Sequence, residues 1–521
     1  MKPQSSTVVR GCMLLLALLP SATVLAQKTA SHSQGPRHNA AVPFIDIIAP
    51  TAARVHGPGF ILILDGAGFG PDAEIGFQLG SMNHPLWTLV VNEGEVAAYV
   101  PARLLRDAAT ASITVTNHRR HGESVASNPV LLSIRKPTAS VAFNETDIAL
   151  GQNPGMTGTI VTADFNGDGQ PDLAVSEPCE ASLGCFTQTA GNVTILLGRP
   201  DGTFFVASSV AVNNLPQALA TGDFNGDGKI DIAVANYGAA SVTILLNDGL
   251  GGFTPASSTV PVDNFPISIA VGDFDRDGKL DLAVANSVAY CTPAPIGCQT
   301  NAVSIRLGRG DGTFTAAPSI TGTGATNDRV TTADLNRDGI LDLVLNVEAT
   351  PSVLIYVGQG DGTFSAIASP PTLAYERPGA FGDVNRDGKL DLVSAAGVFP
   401  DFTQSILATA LGNGDGLFHA GPPSPLVEED IVPGGLLADF NGDGKLDFAG
   451  IGSPTVGFPD NHYDFLLGNG HGTFNLTSST DLNDFAPGAV VGDFNGDGKL
   501  DLATITGIGF NGGTVSILLQ Q

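Results

Sequence analysis

Short apolar segments follow one another in a fixed order from about residue 137 to the end of this chain. One segment, such as 267–272, leads into an acidic phrase, and a second, such as 282–285, leaves it. A third, such as 303–307, precedes a Gly-x-Gly-Asp-Gly-Thr-Phe turn, and a fourth follows that turn. Each segment has strand length, and helical periodicity is almost absent. The pattern predicts an all-β fold built from repeated four-stranded units.

The acidic phrase has nine residues and occurs seven times. We number the copies loop one to loop seven; they span 164–172, 223–231, 273–281, 334–342, 383–391, 439–447 and 493–501. Successive copies begin 59, 50, 61, 49, 56 and 54 residues apart. This period is typical of propeller blades and differs from the shorter helical solenoid repeats. The sequence therefore predicts a seven-bladed β-propeller.

Each phrase has the form D-x-[ND]-x-D-G-x-x-D, which places side-chain oxygens at positions 1, 3, 5 and 9. Glycine at position 6 permits a sharp turn, and position 7 offers its backbone carbonyl. Hard oxygen ligands at this spacing suit Ca²⁺, although no copy has the Glu at position 12 that completes an EF-hand. A single copy could be a chance acidic turn, but seven in register favour up to seven structural calcium ions.

The expected side-chain ligands are Asp164, Asn166, Asp168, Asp172, Asp223, Asn225, Asp227, Asp231, Asp273, Asp275, Asp277, Asp281, Asp334, Asn336, Asp338, Asp342, Asp383, Asn385, Asp387, Asp391, Asp439, Asn441, Asp443, Asp447, Asp493, Asn495, Asp497 and Asp501. The expected carbonyl ligands are those of Gln170, Lys229, Lys279, Ile340, Lys389, Lys445 and Lys499. Loop three, with a fourth carboxylate at Asp275, is the most acidic copy.

The unit A-x-G-D-F-N-G-D-G-K-x-D-L-A-V-A-N, followed by V-x-I-L-L-G-x-G-D-G-T-F, resembles the FG-GAP/VCBS repeat, which is similar to the blades of integrin alpha-subunit propellers. The resemblance covers 137–521. It implies a calcium-binding propeller but not a particular function, because such propellers serve adhesion, lectin and enzyme-associated roles.

The seventh unit stops after its third strand, 515–519, and lacks a fourth. An unpaired edge strand would be exposed to aggregation. Residues 140–150 lie just before the first unit and align with 204–212, the segment before the second unit. We therefore expect 140–150 to complete blade seven and close the ring.

The chain begins with features of an export signal. Lys2 and Arg10 precede the apolar run 12–19, and Val24-Leu25-Ala26 resembles a cleavage site. A membrane anchor is the alternative, but the run is too short to span a bilayer. We expect 1–26 to be a signal peptide, 27–42 a disordered linker, and the product to be secreted, periplasmic or at the cell surface.

Residues 43–136 differ from the repeats. Short alternating strands about ten residues apart predict a β-sandwich. Gly66-Ala-Gly-Phe69 and Val100-Pro101 resemble motifs of the IPT/TIG immunoglobulin-like domain. That resemblance implies a spacer domain.

Four cysteines remain after removal of the signal peptide, in two close pairs. In an exported chain we favour the disulfides Cys179–Cys185 and Cys291–Cys298 over other pairings, with four free thiols as the alternative.

The net charge of −27 is concentrated in the loops, which hold 22 of the 51 acidic residues: four in loop three and three in each of the others. Seven bound Ca²⁺ would reduce the net charge to about −13. We expect no nucleic-acid partner, no membrane insertion and a monomeric chain.

Function is expected on the rim of the ring opposite the seven loops, because the connections there vary in length. The longest are 176–191, 286–301, 396–405 and 452–463, and they contain Phe186, Tyr290, Phe399, Phe402, Phe458 and Tyr463. Long loops on a rigid scaffold favour recognition. The alternative is that neutral sequence change in surface loops has produced the same variation in length. The leading hypothesis is an adhesion or ligand-binding module for a glycan or protein.

Catalysis has little support in the sequence. No nucleophile elbow, zinc-binding helix or nucleophile beside a base is present, so we expect no catalytic residues. The alternative is an extracellular polysaccharide-active lyase or hydrolase. Arg309-Gly310-Asp311 spells an adhesion tripeptide, but we interpret it as a variant of the repeated turn.

Overall fold

The structure, a computed structural model, describes most of the chain from residue 41 onward. The described residues are 41–118, 124–150, 158–177, 191–287, 302–321, 327–347, 353–367, 377–397, 405–425, 430–453, 462–482, 488–506 and 513–521. Within them the regular elements are strands, apart from short 3-10 turns at Ala102–Leu105 and Tyr237–Ala239. The described helical turns include none long and apolar enough to cross a membrane.

The first ten strands form two sheets that face each other. They are β1 (Phe44–Ala49), β2 (Ala52–Ala53), β3 (Phe60–Ala67), β4 (Glu74–Leu79), β5 (Met82–Leu86), β6 (Thr88–Asn92), β7 (Glu95–Val100), β8 (Ala109–His118), β9 (Ser124–Ala126) and β10 (Val130–Ile134). One sheet has the order β1-β3-β7-β6 and the other β2-β10-β8-β4-β5, with β9 beside β8. Leu62 and Leu64 of the first sheet share a buried core with Ile75, Phe77 and Ile113 of the second. We call these two sheets the sandwich.

The remaining strands form the repeated units, named blade one to blade seven. β11 (Phe143–Ala149) precedes them. Blades one to three contain β12 (Ile160–Ala163), β13 (Asp172–Glu177), β14 (Gly191–Gly198), β15 (Phe204–Val212), β16 (Pro216–Gly222), β17 (Asp231–Asn236), β18 (Ser241–Asn247), β19 (Phe253–Pro255), β20 (Val260–Pro261), β21 (Pro266–Gly272), β22 (Asp281–Asn286), β23 (Ala302–Gly308), β24 (Phe314–Ala316) and β25 (Ile320–Thr321). Blades four to seven contain β26 (Asn327–Ala333), β27 (Asp342–Val347), β28 (Val353–Gly358), β29 (Phe364–Ile367), β30 (Arg377–Gly382), β31 (Asp391–Gly397), β32 (Ser405–Gly412), β33 (Phe418–Ala420), β34 (Asp430–Ala438), β35 (Asp447–Ser453), β36 (His462–Gly468), β37 (Phe474–Asp481), β38 (Ala489–Gly492), β39 (Asp501–Thr506) and β40 (Thr514–Gln520).

The blades are antiparallel sheets arranged in a closed ring. Among the described residues there are seven, each with its strands in chain order from the first to the fourth, except for blade seven. Every neighbouring pair of blades shares one buried apolar cluster. The cluster between blade seven and blade one joins Phe494, Val515 and Ile517 to Ile160 and Phe204. The inner strands of the blades are continuous apolar segments because neighbouring blades cover both of their faces.

The closing strand follows the sequence-based prediction. β11 pairs antiparallel with β40 over Phe143↔Gln520 to Ala149↔Thr514, which gives blade seven the order β11-β40-β39-β38. Phe143 also stacks on Phe465 of blade six, with ring centroids 4.5 Å apart. The segment before the first blade therefore completes the last one, and the ring closes by pairing the start of the repeat region with the end of the chain.

The repeated turn between the third and fourth strands packs against the preceding blade. Phe274, at position 2 of loop three, accepts a hydrogen bond at its carbonyl from the amide of Gly362 in the turn of blade four (3.0 Å). Its ring packs edge-on against Phe364 of the same turn, at 5.5 Å between centroids. Phe224 makes the same two contacts with Gly312 and Phe314. The Asp-Gly-Thr-Phe turns thus fix each blade to its neighbour's loop.

Candidate metal centre

The seven loops share one hydrogen-bonded geometry. The carboxylate at position 1 accepts the amide of position 5 at 3.0–3.2 Å through Oδ1 and the amide of the position-6 glycine at 2.8–3.0 Å through Oδ2. The side chain at position 3 accepts the same position-5 amide, and position 5 accepts the amide of position 7. The position-6 glycines have φ between 79° and 86°, where a Cβ would be strained. The side-chain oxygens of positions 1, 3 and 5 thus accept backbone amides of the loop and fix its turn. In loop three the oxygens that converge are those of positions 1, 3 and 9, whereas Asp277 at position 5 pairs with Lys279.

Position 9 anchors each loop to the third strand of its blade. In loop three, Asp281 accepts the amide of Phe274 at 2.8 Å and, through its other oxygen, the amide of Gly308 at 2.8 Å. The corresponding strand-end bond recurs in all seven blades at 2.8–3.0 Å. The seven position-9 carboxylates are essentially inaccessible to solvent: Asp172, Asp231, Asp281, Asp342, Asp391, Asp447 and Asp501.

Burial shifts the pKa values of these carboxylates. Burial is the largest cause that raises the pKa of Asp281 to about 8 and that of Asp447 to about 8; neighbouring loop carboxylates raise both further, while backbone hydrogen bonds oppose the shift. In loop three the same causes raise the pKa of Asp273 to about 7. Carboxylates held together in this way repel one another unless a cation lies between them.

The donor set of loop three fits an oxygen-coordinated divalent cation. Within the described residues, oxygens of Asp273, Asp275 and Asp281 all lie within 4.8 Å of one another. Side-chain oxygens on a preformed turn are the ligands that Ca²⁺ prefers. The other loops carry Asn at position 3, which lowers their negative charge but keeps an oxygen in place. These residues would hold the cation, and its charge would relieve the repulsion among them.

Lysine at position 7 has a role that the sequence analysis missed. The sequence predicts only its backbone carbonyl as a metal ligand, but its ammonium group pairs with the position-5 carboxylate, as in Lys279–Asp277 and Lys445–Asp443, both at 2.6 Å. The same pair forms at 3.4, 3.4 and 3.0 Å in loops two, five and seven. In loops one and four, which lack the lysine, the position-3 amide donates to the position-5 carboxylate at 3.0 Å. The recurring Lys two residues after the third acidic position was the available signal.

The sandwich lies directly on the rim that carries the loops, which we call the loop rim. The backbone amide of Val42 donates to Asp273 at 2.8 Å, and Thr51 donates to Asp439 at 3.1 Å. Asp46 accepts the amide of Asp334 at 2.9 Å. Residues 41–521 belong to one compact unit. The sandwich, for which the IPT/TIG resemblance implies a spacer role, therefore packs directly against the loops.

Contact with the sandwich gives different degrees of burial to loops that have similar sequences. The position-1 aspartates of loops three, four and six are nearly inaccessible, with Asp273, Asp334 and Asp439 at 4, 5 and 3% exposure. Those of the other four loops are only half-buried. Burial is again the main cause that raises the pKa of Asp334 to about 7 and of Asp439 to about 6. The sandwich thus covers the position-1 carboxylates of three loops. It also lies against loops one and seven, where Gly80 and Ser81 face Gly169 and where Ala108 and Ala109 face Gly498, and it leaves loop two open.

Most of the opposite rim lies outside the described residues. These include the cysteines of both expected disulfides and the rim aromatics Phe186, Tyr290, Phe399, Phe402 and Phe458. The prediction that Tyr463 is a rim aromatic is wrong, because it lies within β36, is 2% exposed and packs near Phe465. Tyr237 and Phe265 form a half-buried aromatic pair between blades two and three, with centroids 5.0 Å apart.

A buried polar group on blade six combines residue types found in catalytic sites. Asp464 accepts the hydroxyl of Ser479 at 2.5 Å and lies 3.4 Å from Nε2 of His462. His462 is 6% exposed and Asp464 is inaccessible. Ser479 itself is exposed. Because the His462 and Asp464 side chains are buried and the three residues lie on paired strands, we interpret the group as an internal connection between β36 and β37.

Replacing Asp277 with Asn is expected to weaken calcium binding, whereas the matched change Asp311→Asn is not. Asp277 is a predicted ligand in the most acidic loop, while Asp311 is exposed and caps its own turn by accepting the amide and hydroxyl of Thr313 at 2.9 and 2.6 Å. Asp361 makes the same contacts with Thr363, which supports the interpretation of Arg309-Gly310-Asp311 as a turn. Removal of a ligand charge should raise the Kd of one site by roughly tenfold or more. Calcium titration by calorimetry measures this; equal binding by the two variants would contradict it.

Comparison with known proteins identifies the repeat. A model described as FG-GAP-like repeat matches residues 223–284, 296–345 and 439–504, and one described as FG-GAP repeat matches 156–196 and 265–305. Over these ranges the chain is similar to FG-GAP repeats. The matched ranges begin at residue 156, so the IPT/TIG assignment of the sandwich stays a prediction. No curated protein matches the sequence.

Two solved structures are similar to this chain at low TM-scores. One is a structural genomics protein of unknown function from Bacteroides thetaiotaomicron, with 10% identity, a TM-score of 0.33, and coverage of 94% of this chain and 100% of the other. The second is the periplasmic gluconolactonase PpgL of Pseudomonas aeruginosa, with 15% identity, a TM-score of 0.42, and coverage of 79% of this chain and 97% of the other. Neither likeness is close enough to carry a functional inference.

Proposed function

We propose that this protein is an exported, calcium-loaded propeller that binds an extracellular glycan or protein through the rim opposite the loops. The observation that carries the proposal is the position of the sandwich. Because it covers much of the loop rim, the opposite rim is the end of the ring left for a partner. The connections expected there are also the most irregular part of the repeats, and irregular loops on a rigid ring are where recognition residues concentrate.

A binding screen tests the proposal. The full chain is offered extracellular glycans and cell-wall polymers, with Ca²⁺ and with chelator, and binding is measured directly. Selective, calcium-dependent retention of one glycan or protein class is expected. Depolymerisation of a polysaccharide during the screen would instead favour the alternative, a lyase or hydrolase built on the propeller.

Changing Phe399 and Phe402 to Ala is expected to weaken ligand binding without changing calcium content. Both belong to a long connection of blade five on the expected binding rim, and aromatic rings provide stacking surface for sugars and anchors for protein partners. A loss of roughly tenfold or more in affinity is expected if either ring is an anchor. Truncation of 286–301, the long connection of blade three, tests another part of the same rim in the same way.

Trp87→Ala provides the control, since Trp87 is 59% exposed on the sandwich. It should leave binding unchanged. Full binding by the Phe399/Phe402 variant together with loss in the Trp87 variant would transfer the ligand site to the sandwich and overturn the proposed rim.

A further inference from the structure

The contacts between the sandwich and the loop rim involve the predicted calcium ligands themselves. Val42 donates its amide to Oδ2 of Asp273, the oxygen that also accepts the amide of Gly278. Thr51 donates to Oδ2 of Asp439, which also accepts the amide of Gly444. In both loops the sandwich therefore adds a hydrogen bond that fixes the orientation of a position-1 carboxylate. Partners of this kind support ligand geometry at metal sites.

Two loops reach the sandwich through arginines at position 4. Loops one, two, six and seven have Gly at this position, whereas loops three, four and five have Arg276, Arg337 and Arg386. The three arginines adopt φ of 60–65°, a conformation that costs a non-glycine residue of order 1 kcal/mol. Arg276 pairs with Glu93 of the sandwich, and Arg337 pairs with Asp65 at 2.7 Å. At two of the three strained positions, the side chain thus makes an ion pair that glycine could not make.

Apolar packing around Ile47 and the buried guanidinium group of Arg135 complete the contact between the sandwich and the loop rim. Ile47 points away from the core of the sandwich and packs with Leu335, Leu390 and other residues of blades four and five. At the end of β10, Arg135 is 5% exposed and donates to Gln520 at 2.7 Å and to the carbonyl of Phe440 in loop six. Thr138 donates its amide to Asn441 of the same loop at 2.9 Å. The contact therefore includes loops three to six, and the sandwich also lies against Gly498 of loop seven and Gly169 of loop one.

Docking of the sandwich removes the position-1 carboxylates of loops three, four and six from water. Burial of a carboxylate without a compensating charge is unfavourable. Arg276, Arg337 and Arg135 offset part of this charge, but none of them makes a described hydrogen bond to a position-1 carboxylate. A cation within each loop would supply the missing charge, so the docked state and the cation-loaded state favour each other.

We propose that the sandwich is a calcium-dependent cap: cations in loops three, four and six hold it on the loop rim, and it retards their release. The inference rests on the calcium occupancy proposed above. Coupling is reciprocal, so a cap that tightens calcium binding is itself held more tightly by calcium. Loop two, which makes no hydrogen bond or ion pair with the sandwich among the described residues, exchanges its cation freely.

Calcium release from the full chain tests the cap. The loaded protein is mixed rapidly with excess fluorescent chelator, and release is expected in a fast phase from open loops and a slow phase from covered ones. Ile47→Asp places a charge in the docking contact without entering the sandwich core. It should accelerate the slow phase by roughly tenfold or more, the usual scale of site-to-site coupling. Trp87→Asp, an equal charge change on the exposed side of the same domain, should leave both phases unchanged.

Hydrogen exchange gives a second measurement that does not depend on release rates. The amides of Val42 and Asp334 should be protected with Ca²⁺ and exchange faster with chelator. Protection of amides in the buried core strands of the sandwich, such as those of Leu62 and Ile113, reports in the same measurement whether the sandwich of the Ile47 variant is still folded. If it is not, Asp65→Asn combined with Glu93→Gln removes both ion pairs with a smaller disturbance.

Release rates that do not change when the cap contact is broken, or equal protection with and without Ca²⁺, would overturn the cap. In either case calcium would still bind, and the proposed calcium-loaded propeller would stand. A chain that binds no calcium at all would overturn both proposals together.

Discussion

Chelation of calcium is expected to lower the melting temperature of this protein by roughly 10 °C or more. A loop with a Kd near 10⁻⁵ M contributes about 2.7 kcal/mol to folding stability at about 1 mM Ca²⁺. Three loaded loops would then contribute about 8 kcal/mol, which for a cooperative unit of this size corresponds to a shift of roughly 10 °C. The physical source is the repulsion among buried carboxylates, such as Asp273 and Asp281, that a bound cation relieves.

Differential scanning calorimetry with EDTA and with added Ca²⁺ measures this shift. Readdition of Ca²⁺ should restore the melting temperature. Equal Mg²⁺ should restore much less, because Mg²⁺ demands stricter octahedral geometry and gives up its water reluctantly. A melting temperature that does not respond to EDTA would contradict the structural role of calcium.

Loss of the closing strand is expected to have the second large effect. Two truncated chains, one beginning at Arg135 and one at Gly155, both lack the sandwich and differ in β11. The longer chain keeps seven residue pairs between β11 and β40 and the packing of Phe143 and Ile148. Together these contribute about 5 kcal/mol. The shorter chain leaves β40 as an exposed edge, which also favours aggregation.

Thermal unfolding and light scattering distinguish the two chains. The longer chain should unfold cooperatively, and the shorter one should melt at least several degrees lower or aggregate. Because the sandwich is missing from both, its contribution cancels in the comparison. Equal stability would mean that pairing of β11 with β40 contributes nothing to closure of the ring.

The position of the closing strand relative to the repeated units explains why it could be predicted from the sequence. The seventh unit lacks a fourth strand, and the unmatched segment 140–150 precedes the first unit at the position where a fourth strand would end. In a closed ring, the unmatched segment can complete the seventh unit only by pairing with its last strand. The structure confirms this with the pairing Phe143↔Gln520. The strands and their order were predictable for the same reason, since seven aligned copies reinforce one local pattern.

The sequence shows lysines at position 7 and arginines at position 4 of some loops, but it does not show which residues their side chains contact. Lysine at position 7 recurs in five loops, yet its ion pair with the position-5 carboxylate depends on the loop bringing the two side chains to the same side, as for Lys279 and Asp277. Arg276 and Arg337 stand where other loops have Gly. That departure signalled a compensating contact, but its partners, Glu93 and Asp65, are far away in sequence.

The sequence by itself determined the repeated elements of this protein: the blades, the loops and the strand that closes the ring. Each is fixed by residues close together in the chain or by a period that repeats, so local preferences suffice. The docking of the sandwich, and the division of seven similar loops into covered and open ones, were decided only by the tertiary structure. Contacts such as Val42 with Asp273, or Ile47 with Leu390, join residues hundreds of positions apart. They form because the surfaces of the folded sandwich and of the loop rim match in shape and charge. No periodicity in the chain encodes that match.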